Sequence, residues 1–102
     1  MPEARYHHFE WDSEKASSNV RKDGVSFEEA ATVFDDPLFV AFRSQRHSVD
    51  EPRYVIIGMS NQERLLAVAF TENERVRIIS ARKLSSGERR KYEKKKRDLS
   101  KE

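Results

Sequence analysis

The chain has 102 residues, 36% hydrophobic and 37% charged, with a net charge of +2 and no cysteine. That length reads as one domain, 1–102, with a modest core, and the lack of cysteine excludes disulfides and thiolate metal sites. The longest apolar runs, "YVIIGM" and "LLAVAF", are too short to span a bilayer and "MPEARYHH" has no apolar signal segment, so a cytoplasmic protein without membrane association is expected.

The first predicted element is a short strand in "HHFEW". Asp12 is a good N-cap for a first helix through about Lys22, whose apolar content is only Ala16 and Val20. Gly24 suits the left-handed position past the helix end. Ser26 and Glu29 form an S-x-x-E capping box, and Phe27, Ala30, Ala31 and Phe34 share one face of a second helix. Pro37 ends it. Strands are expected at 38–42, 53–60, 64–71 and 75–82, the last three joined by hairpin-length loops. Ser85 and Glu88 form a second capping box, which opens a third helix from about Ser86 that is expected to fray after Tyr92. Residues 1–8 and 97–102 are read as flexible ends. The sum is an α+β fold: an antiparallel meander with two N-terminal helices and one C-terminal helix. Its expected core is Phe27, Ala31, Phe34, Val55, Ile57, Leu66, Val68 and Ile79.

Charge is unevenly spread. Residues 1–74 carry 8 Lys/Arg against 14 Asp/Glu, and residues 75–102 carry 12 against 4. A basic end of this kind suits a polyanion or an acidic protein segment. Arg77, Arg82, Lys83, Arg89 and Arg90 cluster there in sequence, with Glu88 and Tyr92 beside them and Arg64 on the preceding strand. RNA cleavage without a metal needs a base for the 2′-hydroxyl, cations for the phosphorane charge and an acid for the leaving oxygen. Arginine supplies the cations, Tyr92 could stack on a base or give a proton, and Glu88 could be a base or simply a cap. Arg77 and Arg82 differ by an odd number, so a regular strand separates them onto opposite faces unless a bulge intervenes. His7 and His8 read as surface histidines.

Four segments resemble the BrnT family of type II toxin–antitoxin systems, small ribonuclease toxins of the RelE-like superfamily. "FEWDSEKASSNVRKDGVSFEEAATVFDDP" is similar to the family's F-E-W-D, N-x-x-K-H-G-V and F-E-E-A-x-x-V-F-x-D-P pattern. "RHS" with "RYVIIG", then "RIISARK", then "SSGERRKYE" follow in order, so the likeness covers residues 9–93. The resemblance implies a RelE-like fold and metal-independent RNA cleavage that stops translation, with no cofactor. It also implies neutralisation by a BrnA-type ribbon-helix-helix antitoxin in a 2:2 heterotetramer that binds its own operator DNA. By motif it assigns Lys22, Arg64, Arg77, Arg82, Glu88 and Tyr92 to catalysis, and Lys83, Arg89 and Arg90 to RNA binding. His47 matches a family histidine. One position departs: Asp23 stands where the pattern has histidine. An aspartate titrates near pH 4 and is a poor acid or base at neutrality. The alternative reading is therefore a catalytically impaired binding module that serves as antitoxin partner and co-repressor. Alanine at Arg64, Arg77, Arg82 or Arg89 is expected to cost little stability.

Overall fold

The computed structural model describes residues 8–44 and 51–101. Its elements run β1 (Phe9–Glu10), α1 (Ser13–Asp23), α2 (Phe27–Thr32), a 3-10 turn (Val33–Asp35), β2 (Val40–Arg43), β3 (Tyr54–Met59), β4 (Leu65–Glu72), β5 (Val76–Lys83) and α3 (Ser86–Ser100). This is the expected α+β order. The strands form one sheet, β1-β5-β4-β3-β2. Strands β2 to β5 are an antiparallel meander. The short β1 adds in parallel beside β5, with Phe9 opposite Val76 and Glu10 opposite Arg77.

Local chemistry sets the helix ends. Asp12 accepts from the Glu14 and Lys15 amides at 2.8 and 3.0 Å and caps α1. Gly24 closes α1 at φ 71°, where a Cβ would be strained, and its N–H donates to the Val20 carbonyl at 2.9 Å. The buried residue of α1 is Asn19, 7% exposed, whereas Val20 is 48% exposed. Strand pairing explains this inversion of the expected stripe. β1 reaches only Val76 and Arg77, which leaves the later part of that β5 edge to α1. The Asn19 amide donates to the Ala81 and Val25 carbonyls at 2.9 Å each and accepts from the Ala81 N–H at 3.2 Å. One side chain thus replaces a strand partner and fixes the α1–α2 corner to β5.

Ser26 caps α2 through the Glu29 N–H at 3.0 Å. The expected reciprocal box stays half-formed, because the Glu29 carboxylate turns to Ser60 Oγ at 2.6 Å and Arg64 Nε at 2.9 Å. The box of α3 is complete: the Ser85 N–H donates to Glu88 at 2.9 Å and the Glu88 N–H to Ser85 Oγ at 3.2 Å. α3 continues to Ser100 rather than fraying after Tyr92. A Lys94–Asp98 pair at 3.1 Å and a Lys95 ammonium bonded to the Phe39 carbonyl support its later turns.

Both sheet faces are packed. α1, α2 and the 3-10 turn cover Ile56, Leu66, Val68, Phe70 and Ile78 with Val25, Phe27, Ala30 and Val33. α3 covers Ile57 and Ala67 with Tyr92, flanked by Leu38, Val40, Leu65 and Leu84. Full burial of each such aliphatic or aromatic side chain contributes about 1.5–3 kcal/mol. Of the expected core, Phe27, Ala31, Ile57, Leu66 and Val68 are buried, while Phe34, Val55 and Ile79 are half-buried. The DDP turn joins the two layers. Asp36 accepts from the Leu38 and Met59 amides at 2.8 and 2.7 Å and from the Tyr92 hydroxyl at 2.8 Å. A Cβ at Gly58 would stand 2.9 Å from Asp36 Oδ2, which explains glycine within a central strand.

Candidate functional site

Strand β5 decides where the arginines point. Ser80 pairs with Ala69 and Ile78 with Phe70, so Ile79 is the extra residue of a β-bulge. The bulge shifts the parity. Arg82 lies opposite Ala67 and Arg77 opposite Thr71, and both therefore belong to the α3 side of the sheet. They remain roughly 15 Å apart along the strand. Arg77 pairs with Glu10 at 3.2 Å beside a small polar pocket that also includes Thr71, Asn73 and Glu74. It is not brought to Arg82.

Arg82 borders a larger groove of about 650 Å³. Among the described residues, α3 covers one end of this sheet face, and Val55, Ala69, Ile79 and Ser80 beyond it are half-buried. Val55, Ala69, Ile79 and Ser80 line the groove among the sheet residues, with Phe42 and Ser44 from β2 and its exit. Four cations also line it, Arg43, Arg53, Arg82 and Lys91, together with Glu88. Glu88 and Lys91 reach it from the inner stripe of α3, which continues through Tyr92 and Lys95 at helical spacing. The Lys91 ammonium stands 4.5 Å from the centroid of the Phe42 ring.

The Arg82 guanidinium grips Glu88 with two bonds, 2.8 and 3.0 Å, and also donates to the Lys83 carbonyl at 3.1 Å. Hydrogen bonding to Arg82, then to the Ser85 backbone, holds the Glu88 carboxyl down at about 2 against the cost of burial. Glu88 is thus an anion and, in this state, a weak base. The same pair raises the Arg82 pKa, and the Asp23 carboxylate adds a smaller push in the same direction. The α1–α2 corner therefore faces Arg82 electrostatically. Lys22 and Asp23 are both exposed there.

Two expected site residues have structural surroundings. Arg64 donates to Glu29 at 2.9 and 2.5 Å and to the Gly24 carbonyl at 3.0 Å. Its guanidinium binds α2 to the β3–β4 turn and does not line the groove, so Arg64 carries a tie that the expectation of a small stability cost left out. Tyr92 is 4% exposed and gives its hydroxyl proton to Asp36. Burial, with the bond to Asp36, pushes it up to about 12. Its ring is buried in the core and its hydroxyl proton is committed to Asp36, away from the groove lining. Lys83, Arg89 and Arg90 are exposed outside the groove lining. His47 lies outside the described residues.

The reading of the sequence missed Arg43, Arg53, Lys91 and Phe42. Lys91 was findable, three residues after Glu88 and beside Tyr92 on one helix face. Arg53 carries the parity of Val55 and Ile57. Phe42 and Arg43 gave no signal beyond a short strand. Asn19 and Asp36 hold the frame, and only burial reveals them.

Residues 11–88 match the family model described as the ribonuclease toxin BrnT of type II toxin-antitoxin systems. The chain belongs to the BrnT family. Its fold is similar to the 1.1 Å crystal structure of the Brucella abortus ribonuclease toxin BrnT. The TM-score is 0.57 at 24% identity, over 74% of this chain and 94% of that one. A search of curated proteins finds no significant match. BrnT proteins are ribonuclease toxins of type II systems, a class whose partner is a protein antitoxin. Among the described residues, no helix is long and apolar enough to cross a membrane, and no cluster of His, Asp and Glu is suited to a metal.

Proposed function

We propose that this BrnT chain cleaves RNA without a metal in the groove beside α3. The observation that carries the reading is the set of three cations, Arg53, Arg82 and Lys91, around one sheet face, with Arg43 at its rim on the opposite parity. The planar Arg82 fork fits a phosphate as well as it fits Glu88. A backbone phosphate takes the place of Glu88 on Arg82. Release from Arg82 removes the chief cause of the depressed Glu88 pKa, so the freed carboxylate becomes a better base beside the phosphate it made room for. It then takes the proton of the 2′-hydroxyl, the 2′-oxygen attacks phosphorus, and the 5′-oxygen leaves. Arg82 and Lys91 stabilise the charge that develops on the phosphoryl oxygens. Lys22, Arg77, Lys83, Arg89 and Arg90 extend the basic surface along which the strand runs. The leaving 5′-oxygen takes its proton from water; His47 matches a family histidine, a match that fits structure or partner contact as readily as catalysis.

The test is Glu88→Gln assayed for both cleavage and binding. Glutamine cannot act as the base but releases Arg82. Cleavage should fall roughly a hundredfold or more, while an uncleavable RNA binds more tightly. If cleavage is unchanged, Glu88 is only a cap and a clasp.

A second reading has its own support. Asp23 replaces the family histidine, and the Tyr92 hydroxyl is committed to Asp36. On that reading the chain binds its antitoxin and represses transcription but does not cut RNA. Induced expression alone and with the neighbouring gene separates the two: growth arrest relieved by that gene supports the toxin. For the partner, we infer a BrnA-type ribbon-helix-helix antitoxin in a 2:2 assembly on operator DNA, with an acidic segment laid against the basic groove. Co-purification and a salt-dependent association rate are the checks.

A further inference from the structure

Helix α3 makes two lysine–aromatic pairs that look alike and differ in how they are held, and the second of them lies in the groove. Lys95 stands 5.2 Å from the Phe39 ring centroid, and its ammonium is also bonded to the Phe39 carbonyl. That contact is a clasp between α3 and the segment before β2. One turn earlier, Lys91 stands 4.5 Å from the Phe42 ring centroid. Among the described residues, Lys91 has no hydrogen bond or ion pair to hold it there. The nearest carboxylate on its own stripe, Glu88, is engaged by Arg82. Phe42 is half-buried on β2, opposite Val55, and its ring lines the open groove.

We propose that Phe42 is a stacking platform for a nucleobase of single-stranded RNA, and that Lys91 is a movable cover that leaves the ring for an adjacent phosphate. The proposal rests on the RNA-groove reading and adds to it a base subsite. A π-face accepts any base, and Val55, Ala69 and Ile79 beside it carry no hydrogen-bonding side chain, which leaves only the short hydroxyls of Ser44 and Ser80 and no amide or carboxylate pair among the neighbouring sheet residues to read a base edge. The subsite should therefore be tolerant of sequence and favour purines by area. A cation over an aromatic ring is only weakly held at an exposed site. A base can displace it without loss, since the ammonium gains a phosphate oxygen. The same exchange occurs on Arg82, where phosphate replaces Glu88, so one bound nucleotide opens both contacts.

The experiment uses the full chain and a fully 2′-O-methylated RNA oligonucleotide with a single 2-aminopurine. Wild type should bind it and quench the 2-aminopurine emission. Phe42→Leu retains apolar contact with Val55 but removes the π-face. It should abolish the quench and weaken binding roughly tenfold, while Phe42→Trp should restore both. If Phe42→Leu binds and quenches like wild type, the platform is wrong and the groove reading stands. If wild type does not bind the oligonucleotide at all, the groove reading falls and the platform with it. Should Phe42→Leu fail to fold, the added indole of Phe42→Trp decides. A fall in its emission on titration with RNA supports the platform, and no change overturns it.

Discussion

Two arginine–glutamate pairs stand on opposite sides of the sheet, and their surroundings give them different work. In the Arg64–Glu29 pair the Glu29 side chain is 2% exposed, and the carboxylate takes a further bond from Ser60. In the Arg82–Glu88 pair the arginine side chain is 47% exposed and borders an open groove. In the first pair the Glu29 carboxylate is enclosed although the Arg64 side chain is 36% exposed, against 14% for Glu88 and 47% for Arg82 in the second, so another anion reaches Arg64 only by opening the corner. The second can exchange its carboxylate for another anion. Arginine beside glutamate thus means a rivet in one place and a reloadable phosphate fork in the other, and the deciding variable is access.

The largest expected effect comes from breaking the rivet. Glu29→Ala leaves Arg64 Nε and Ser60 Oγ without their acceptor and removes the tie between α2 and the β3–β4 turn. The thermal midpoint should fall by roughly 10 °C, the scale for losing one member of a buried pair in a domain of this size. Cleavage by the fraction still folded at low temperature should be close to wild type. A variant as stable as wild type would place Arg64–Glu29 among the pairs that contribute nothing.

Arg82→Ala should show the converse. RNA cleavage is expected to drop roughly a hundredfold, as for loss of a group that stabilises transition-state charge. The thermal midpoint should move by only a few degrees, because an exposed ion pair adds little stability. Equal losses in both measurements would make Arg82 a second rivet.

The asymmetry between these pairs was only partly legible in the sequence. Both glutamates occupy the same place in an S-x-x-E pattern, and that local rule holds at Glu88, which closes its box while also taking Arg82. It fails for Glu29 because Arg64, 35 residues away, competes for the carboxylate. Helix starts, the meander and most of the core followed from periodicity and capping, which are local. The bulge at Ile79 left a local trace, the doubled Ile78-Ile79 that breaks the alternation of "RVRIISAR", but only the pairing with β4 fixes it. That single extra residue puts Arg77 and Arg82 on one face. Tyr92 was placed in the site by the family motif and by its nearness to arginines in sequence. Helical spacing turns it toward Asp36 instead. Several residues that carry the family pattern, Asn19, Glu29, Asp36 and Tyr92, hold the frame around the groove, and the cations Arg43, Arg53 and Lys91 belong to less patterned positions.

Acid should loosen both pairs. A carboxyl whose folded pKa is depressed contributes stability above its unfolded value, and that contribution is lost as pH falls through the folded one. For Glu88 the window runs from near 4.5 down to about 2. Glu29 is lowered in the same direction, first by its bond to Arg64. Urea midpoints measured across that range should fall with pH, and less steeply in Glu88→Gln. Alkali acts with the opposite sign through Tyr92. Its pKa is raised from 10.0 to about 12, so its contribution is complete below pH 10 and lost as pH rises toward 12. Identical acid limbs in wild type and Glu88→Gln would show that the exposed pair is already exchanged for solvent.

The smallest expected effect is at the corner between the two pairs. Asp23 ends α1, where a carboxylate opposes the negative end of the helix dipole and costs about 0.3–1 kcal/mol at an exposed site. It also lies close enough to raise the Arg82 pKa. In the free protein that negative charge helps hold the Arg82 cation, and against an incoming phosphate it is repulsive. Asp23→His removes both the dipole conflict and the repulsion, and adds a group that titrates near 6.5. The variant should be equally stable or slightly more so, and should bind uncleavable RNA modestly tighter. Its cleavage rate, followed between about pH 5.5 and 8, should gain a limb near the unperturbed histidine value. If binding tightens and no limb appears, residue 23 acts through charge alone. If Asp23→His alters neither while Lys22→Ala weakens binding, the corner contributes a phosphate contact and no proton. If both variants match wild type, the corner is a turn held by Gly24 and Asn19, and the groove begins at Arg82.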